Sequence, residues 1–491
     1  MLKKTLFLVL IFLLISQTFG QAKLRLIYIN NVDGYLRACH CPGNLFGGLL
    51  YAVDVVDKLR AENPNTIFVD SGDLFPAKNW EPKARFAIEF YNRMGLDALN
   101  IGEQEFWFGV NYLRKMANKS RFNILSANLY WHGKPLFKPY IIKELDGIKV
   151  AVIGLLNPEL IKRLDNQKIK GIEVKSYEDT LNKVLADIKT QNVDLIILLS
   201  HAGDAFDRQV ASKFPQINFI VSGHSEKLFE QPVVVGKTAL LQAEHYAHYI
   251  GVLDINYLGA GKFSYKNKMI KLENVAVIED AAKIYQKYLD ATDALVDSLS
   301  KTVSLQQKNY QAVPKSSDCG SCHFDEYNHW SRTPHAFAWS VIQEDGRTSD
   351  VSCISCHTTW FGKKGGFLNT TSTPQLVNVG CVSCHVDFKG HPQQKKTMEP
   401  VKESTCIECH DRPNSPDFNF ETYRQAVLHE LDYFTIKKGD WLSKIAERKY
   451  GNPFRWPIIY RANRPEINNP NLIFPGQKII LPRIPENKIK K

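Results

Sequence analysis

Short apolar runs alternate with polar stretches along the first half of the chain. Runs of this kind, bounded by polar or turn-forming residues, are typical of buried strands. Six of them are predicted as strands: 24–29, 66–69, 150–155, 195–199, 219–221 and 251–257. Because the stretches between them have helical periodicity, residues 21–275 are predicted to form an α/β domain with a layered sandwich architecture.

The pattern changes twice in the second half. Residues 276–312 are predicted as a helical connector. Over 313–430 the strand pattern disappears and Cys, His, Gly and Pro dominate, which predicts a mostly helical or irregular domain with little aliphatic core. Regular periodicity returns in residues 432–484, predicted as a strand, two short helices and a final strand, and a basic tail follows at 485–491.

The first twenty residues have the composition of a secretory signal. Lys3 and Lys4 precede an apolar run over 5–16, and small residues follow at Thr18 and Gly20. A membrane anchor is the alternative, but the run is shorter than the roughly 20 residues that a spanning helix needs. We therefore expect an exported chain without a transmembrane span after cleavage, located in the periplasm, at the cell wall or outside the cell.

Length and charge add two constraints. A chain of 491 residues predicts two to four domains. The net charge of +11 is uneven, because residues 431–491 contain 13 Lys and Arg against 5 Asp and Glu. In an exported protein, a basic terminal module favours an anionic wall or membrane surface over nucleic acid as its partner.

Four CxxCH motifs lie within 92 residues of the cysteine-rich segment. Their cysteines are Cys319 and Cys322, Cys353 and Cys356, Cys381 and Cys384, and Cys406 and Cys409. Two thiols at this spacing attach one haem covalently, and the next residue provides the proximal iron ligand. Those ligands would be His323, His357, His385 and His410. Zinc binding by CxxC pairs is the alternative, but it does not explain a His after every pair, so four covalent haem c groups are predicted to pack this domain.

The sixth iron ligand is predicted to be a second histidine at most haems. The segment has one Met, Met398, and four further histidines: His329, His335, His391 and His429. Iron with two imidazole ligands has a low potential and a closed coordination sphere, which suits electron transfer.

Several residues around these motifs resemble the cytochrome c-554 type of tetrahaem protein over residues 314–430. The similar features are Trp330-x-x-Thr333-x-His335-Ala336, Gly380-Cys381 with His391 downstream, and Asn414-Ser-Pro-Asp-Phe followed by His429. The resemblance implies closely stacked haems that pass electrons and one haem that can be five-coordinate. It implies His335, His391 and His429 as distal ligands, while His329 has no match, which leaves one iron open.

Polar motifs follow the predicted strands of the first domain. They are Asn31-Val-Asp33-Gly34, Gly72-Asp73, Gly102-Glu103-Gln104-Glu105, Ser200-His201-Ala-Gly203 and Gly223-His224-Ser-Glu226. Such positions suit a pair of cations that share a bridging carboxylate. Residues 24–258 resemble the bacterial 5′-nucleotidase and UDP-sugar hydrolase family, which has the calcineurin-like metallophosphatase fold.

The chain departs from that family at the metal ligands. Asn31 and Asp33 replace its Asp-x-His, Glu103-Gln104-Glu105 replaces Asn-His-Glu, and His224 with Glu226 replaces His-x-His. The resemblance implies that one cation can still be held, by Asp73, Glu103, His201 and His224. The residues around the other position, Asn31, Asp33 and Glu226, offer only oxygen donors, which suit Ca²⁺ or Mg²⁺.

Altered or lost phosphatase activity is therefore expected. Gln104 stands where the family has the His that assists the leaving group, and an amide cannot act as an acid. The nucleoside-gripping second domain of the family is also missing. Three interpretations stay open for Cys39-His40-Cys41: a metal site, His40 as a haem ligand, or an inert or strained thiol pair.

Residues 434–482 resemble a LysM module, which has a βααβ fold and binds N-acetylglucosamine glycans such as peptidoglycan. The candidate glycan-binding residues implied by the resemblance are Gly439, Asp440, Asn463, Asn469, Leu472 and Ile473. A single module of this kind binds weakly, so it would act together with other contacts.

The sequence thus predicts an exported tetrahaem c-type cytochrome for electron transfer at or near the cell wall. Its partners would be redox proteins, a glycan and further copies of itself, with one divalent ion in the first domain. Two alternatives remain: an enzyme, using an open haem iron or acting as a metal-dependent phosphoesterase, and a structural haem protein of an extended assembly.

Overall fold

A computed structural model describes residues 22–39, 45–76, 80–259, 261–306, 312–388, 391, 399–411, 414–429, 432–464 and 466–482. The predicted signal segment 1–20, His40, Cys41, Met398 and the tail 485–491 lie outside these residues. The described chain divides into two compact units. The first comprises residues 22–35, 47–76 and 87–278, and the second comprises 36–39, 45–46, 80–86 and 279–482.

Two six-stranded sheets form the first unit. The strands of one sheet are, in spatial order, Lys262–Lys271, Tyr249–Gly259, Ala22–Ile29, Thr66–Asp70, Ala98–Asn100 and Asn123–Leu125. Those of the other are Val233–Val235, Thr238–Leu241, Phe219–Ser222, Leu195–His201, Ile148–Leu156 and Tyr140–Leu145. All six predicted strand segments lie inside these strands, so the α/β prediction for this region is confirmed.

The sheets enclose one apolar core. It contains side chains from both sheets, among them Leu26, Val69, Val152, Leu199 and Leu253. A second apolar cluster covers the outer face of the second sheet and includes residues of the helices Tyr177–Thr190 and Asp204–Lys213. Strands buried on both faces explain the near-continuous apolar runs of the sequence.

The helices of the first half follow the strands. They are Leu49–Glu62, Glu81–Met94, Gln104–Phe106 (a 3₁₀ turn), Val110–Ala117, Pro158–Ile161, Tyr177–Thr190 and Asp204–Lys213. A small sheet pairs Lys134–Pro135, Leu129–Trp131 and Ile172–Val174.

Parallel pairing determines where the polar motifs lie. Ile29 pairs with Asp70, Leu156 with His201, and Ser200 with Ser222. The carboxyl ends of these strands therefore meet at one edge of each sheet, where the loops after them converge.

The longest continuous part of the second unit begins with the helix Glu279–Gln306, close to the predicted connector helix. Short helices follow at Ser316–Gly320, Phe324–Trp330, Pro334–Phe337, Ala338–Glu344, Val351–His357, Pro374–Leu376, Cys381–Cys384, Glu403–Cys406 and Phe420–Gln425. Residues from 432 onward form the strand Tyr433–Thr435, the helices Leu442–Tyr450, Pro453–Arg455 and Trp456–Ala462, and the strand Lys478–Ile480.

These two parts of the second unit have separate apolar clusters. The long helix and the cysteine-rich segment share a small cluster, to which the helix contributes Val296 and the segment contributes Ile342, Ile354, Phe367 and Leu376. The terminal module has its own, built around residues of the helix Leu442–Tyr450 and of the final strand. None of the helices in the described ranges combines the length and the apolar character needed to cross a bilayer.

Candidate functional site

Four side chains of the first unit converge at the strand ends: Asp73, Glu103, His201 and His224. One potential ligand atom from each lies within 4.8 Å of all the others. His201 Nε2 is 3.2 Å from an Asp73 oxygen and 3.0 Å from Glu103, and His224 Nδ1 is 3.0 Å from the other Glu103 oxygen. These are the four residues predicted to hold one cation.

The backbone around this cluster is strained. Asp73 has φ 58° and His224 has φ 70°, a left-handed conformation that costs energy in residues with a side chain. Gly72 and Gly223 pack directly against the ring of His201: a Cβ atom would lie 2.9 Å and 2.7 Å, respectively, from its Nδ1. Strain at a polar cluster of this kind is common at functional sites.

The protonation of His201 indicates what the cluster requires. Its Nδ1 lies 3.1 Å from the carbonyl oxygen of Ser71, so Nδ1 carries a hydrogen and donates it. Its Nε2 then faces two carboxylates, and only a second proton or a metal ion makes that arrangement favourable. Burial lowers the pKa of His201, but Asp73 and Glu103 outweigh it and hold that pKa well above its ordinary value.

Glu103 responds in the opposite direction. Burial alone would raise its pKa, but His201 and His224 together hold it below the ordinary value. The cluster is therefore built around carboxylates that stay ionised and nitrogens that face them. Two imidazole nitrogens with two carboxylates form a ligand set for a divalent transition-metal ion.

Glu105 positions this cluster without belonging to it. Its buried carboxylate accepts hydrogen bonds from the backbone nitrogens of Gly102 (2.7 Å) and of three consecutive residues, 73–75 (3.1, 2.7 and 3.1 Å). Burial and the neighbouring Asp73 raise the pKa of Glu105 to about 7. The sequence analysis included Glu105 in a motif but gave it no role. Its position next to Gln104, inside a candidate ligand motif, was the feature that could have indicated one.

The other predicted ligands are arranged differently. Gln104 Nε2 donates to Asp33 Oδ1 (2.5 Å) and to Asp73 Oδ2 (3.2 Å). Asn31 Oδ1 accepts from the backbone nitrogen of His224 (3.0 Å). Burial, Asp73 and Glu226 raise the pKa of Asp33 well above its ordinary value. Asn31, Asp33 and Glu226 are not part of the four-residue cluster.

Histidine rings in the second unit lie in close pairs. Ring centres are 5.8 Å apart for His323 and His391 and 6.0 Å apart for His410 and His335. His429 lies 6.1 Å from His385 and 5.6 Å from His329.

That spacing fits one iron per pair. Two nitrogens bound to one metal at about 2 Å each place the ring centres about 6 Å apart. Among the described ring contacts, His357 has no imidazole neighbour at this spacing. Its Nδ1 lies 2.6 Å from the carbonyl oxygen of Ala338, so Nδ1 carries the hydrogen and Nε2 keeps its lone pair.

A buried polar network anchors the helix of the second motif. Asp350 caps the helix Val351–His357 and is fully buried. It accepts from Arg347 (2.8 Å), the Tyr288 hydroxyl (2.8 Å), and the backbone nitrogen and hydroxyl of Ser352 (2.9 and 2.5 Å). Despite the cost of burial, Arg347 and Lys83 hold the pKa of Asp350 below its ordinary value.

The first thiol of the predicted Cys39-His40-Cys41 site belongs to the same neighbourhood. Cys39 is buried and lies close enough to Cys353 to influence its ionisation. Arg347 donates to the carbonyl oxygen of the adjacent residue, Ala38 (3.3 Å). Sequence reasoning did not anticipate this network, because its members come from four separate stretches of the chain.

The candidate glycan residues have contrasting environments. Asn463 is buried, donates to the carbonyl oxygens of Ile459 and Ile480 (2.8 Å each) and accepts from the nitrogen of Ile480 (2.8 Å). Its side chain therefore holds the module together and is not exposed to a glycan. The more accessible candidates are Gly439, Asp440, Asn469, Leu472 and Ile473. Arg332 in the cysteine-rich segment pairs with Glu466 of this module at 2.6 and 2.9 Å.

Two family models match the second half of the chain. The family described as "Cytochrome c554 and c-prime" matches residues 318–386, and the LysM domain matches residues 434–482. The first match contains three CxxCH motifs, and the motif at 406–410 follows it. Both resemblances stated from the sequence are confirmed.

The N-terminal region is homologous to the 5′-nucleotidase family of calcineurin-like metallophosphatases. A 2′,3′-cyclic-nucleotide 2′-phosphodiesterase/3′-nucleotidase of Haemophilus influenzae is 25% identical over 331 residues, 58% of this chain and 49% of its own length. Protein 5NUC of Lutzomyia longipalpis is 30% identical over 244 residues, 44% of this chain and 42% of its own.

A solved structure shares the fold. The 5′-nucleotidase precursor of Thermus thermophilus superposes with a TM-score of 0.51 at 24% identity, covering 56% of this chain and 59% of its own. The chain thus spans about half the length of the curated relatives it matches. The superposition supports the fold of the first unit, and the homology supports a metal site within it.

Proposed function

We propose that this chain is an exported tetrahaem c-type cytochrome that transfers electrons at or near the cell wall. The observation that carries the proposal is the combination of four CxxCH motifs with close histidine pairs that involve three of the four proximal ligands. The protein would supply the ligands, the spacing and the dielectric environment, while the haem groups would carry the electrons.

The ring pairs support a specific ligand assignment. His323 with His391, His385 with His429, and His410 with His335 each provide two axial nitrogens for one iron. Among the described residues, His357 has no second imidazole at this spacing, so the second haem is our candidate for the open one unless His40, outside those residues, binds its iron. His429 lies near both His385 and His329, so His329 is the alternative distal ligand at the third haem.

Haem content is the first test. The mature protein, produced with a cytochrome c maturation system, should give four haems per chain by reduced pyridine haemochrome and intact mass. A Cys353→Ala/Cys356→Ala variant should give three and lose the high-spin signal of the open haem. Fewer than four haems in the wild type, or a high-spin signal that survives in the variant, contradicts the assignment.

The LysM match supports attachment to N-acetylglucosamine glycans such as peptidoglycan. Leu472 is 57% exposed next to Ile473, so its side chain is available to a sugar chain. The full chain should sediment with insoluble peptidoglycan, and Leu472→Asp should sediment less while keeping its haem spectrum. Equal sedimentation of both proteins argues against this surface.

A second candidate function is a metal-dependent phosphoesterase. The four-residue cluster and the homology to nucleotidases favour it. Because Gln104 replaces the proton-donating residue of that family, we propose that any such activity is altered or lost. The test is phosphate release from AMP, and p-nitrophenol release from bis(p-nitrophenyl) phosphate, with added Mn²⁺ in the wild type and in His201→Ala. Metal-dependent turnover that disappears in the variant supports the enzyme.

A further inference from the structure

The side chain of Gln104 occupies the space between two carboxylates. Its amide nitrogen donates to Asp33 at 2.5 Å and to Asp73 at 3.2 Å, and its backbone nitrogen donates to the other Asp73 oxygen at 3.0 Å. The two amide hydrogens thus place positive charge where a cation bridging Asp33 and Asp73 would otherwise be needed. A metal ion at this position would have to displace a buried hydrogen-bonded group.

In the neighbouring cluster Gln104 reaches Asp73, whereas both oxygens of Glu103 face imidazole nitrogens. His201 Nδ1 already donates to Ser71, so its Nε2 faces the carboxylates of Asp73 and Glu103 at 3.2 and 3.0 Å. The nitrogen and the oxygens are all electron-pair donors when His201 is neutral. One cation between them satisfies every member of the set at once.

Two orphaned polar atoms support a ligand at this place. Asn31 is 2% exposed, and its Nδ2 is buried without a hydrogen-bond partner among the described residues. The Oε1 of Gln104 is likewise buried without one. An unsatisfied donor and an unsatisfied acceptor beside a metal cluster fit a metal-bound water, which both accepts and donates.

We propose that the first unit binds one divalent transition-metal ion rather than a pair, with Asp73, Glu103, His201 and His224 as its ligands and the Gln104 amide in place of a second ion. Two imidazoles favour transition-metal ions such as Zn²⁺ or Fe²⁺ over Ca²⁺ and Mg²⁺, and the two carboxylates also accommodate Mn²⁺. The inference rests on the metal binding assumed for the second candidate function, and it removes the two-metal route by which a hydrolase would stabilise both attacking and leaving oxygens.

The test uses the full haem-loaded chain with Mn²⁺ as the probe. The protein is saturated with Mn²⁺, desalted, and analysed for manganese per chain by mass spectrometry, while haem iron is counted separately. We expect one manganese per chain. The matched pair of variants is Glu103→Gln and Asp33→Asn, which each replace a carboxyl group by an amide of nearly the same shape.

The two variants should behave differently. Glu103→Gln should weaken Mn²⁺ binding by about tenfold or more, whereas Asp33→Asn should keep one ion per chain at an affinity within about threefold. Two manganese ions per wild-type chain, no manganese at all, or loss of the ion in Asp33→Asn overturns the proposal. One bound ion without phosphate release would refute the phosphoesterase function and leave the single-ion site standing.

Discussion

Replacing Asp350 with Asn removes one negative charge from the interior of the second unit. Asn keeps an oxygen that can cap the helix Val351–His357 and accept from Tyr288 and Ser352. The ion pair with Arg347 at 2.8 Å is lost, and the side chain of Arg347 is only 5% exposed. The variant therefore isolates the effect of a buried guanidinium without its main counter-charge.

The expected loss of stability is about 3 kcal/mol. Removing one partner of a buried ion pair costs about 3–5 kcal/mol, and the lower end applies because Asp345 lies 3.8 Å from Arg347 and compensates in part. In urea, with a slope of about 2 kcal/mol per molar, the unfolding midpoint should fall by about 1.5 M. The Soret absorbance of the haems reports this transition.

The pH dependence gives an independent check. The pKa of Asp350 is held below its ordinary value in the folded state, so its contribution is present above the unfolded pKa of about 3.9 and is lost as the pH falls through the folded pKa. The difference between wild type and variant should be largest at pH 7 and should shrink below about pH 4.

Asp293→Asn is the matched control, because Asp293 is exposed and its oxygen accepts one hydrogen bond, from Ser349. It should change stability by less than about 0.5 kcal/mol. A loss below about 1 kcal/mol in Asp350→Asn, or an equal loss in both variants, would refute the electrostatic reasoning.

Three further predictions concern single side chains. Glu105→Gln should lower the free energy of unfolding of the first unit by about 2 kcal/mol, because the new amide NH₂ group is a donor and faces backbone N–H groups that are also donors. Differential scanning calorimetry measures this loss, and an unchanged transition temperature contradicts the prediction. Asn463→Ala should lower the free energy of unfolding of the terminal module by about 2 kcal/mol, so that this module unfolds before the rest of the chain and no longer sediments with glycan. The control Asn468→Ala, at an exposed position, should keep both the stability and the sedimentation. Arg332→Met should speed proteolysis between the haem segment and the terminal module, since it breaks the pair with Glu466; an equal cleavage rate would mean that the pair contributes nothing.

Local chemistry could be predicted from the sequence because short segments contain it entirely. Each CxxCH motif holds both thiols and the proximal ligand within five residues, and the terminal module repeats a complete family pattern over 434–482. The strands of the first unit were also predictable, because burial on both faces requires continuous apolar runs. The four residues of the candidate metal cluster were named together because the strand-end motifs resemble those of the 5′-nucleotidase family.

Only the tertiary structure decided which distant groups meet. Gln104 and Asp33 are 71 residues apart, and their hydrogen bond is what argues against a second metal ion. Tyr288 reaches Asp350 across 62 residues. The pairing of His410 with His335 supports a proposed distal ligand for the fourth haem, which sequence order could not indicate. Residue types and spacing determine what a side chain can do, whereas its partner depends on how separate elements pack, because hydrogen bonds and metal bonds act over only a few ångströms.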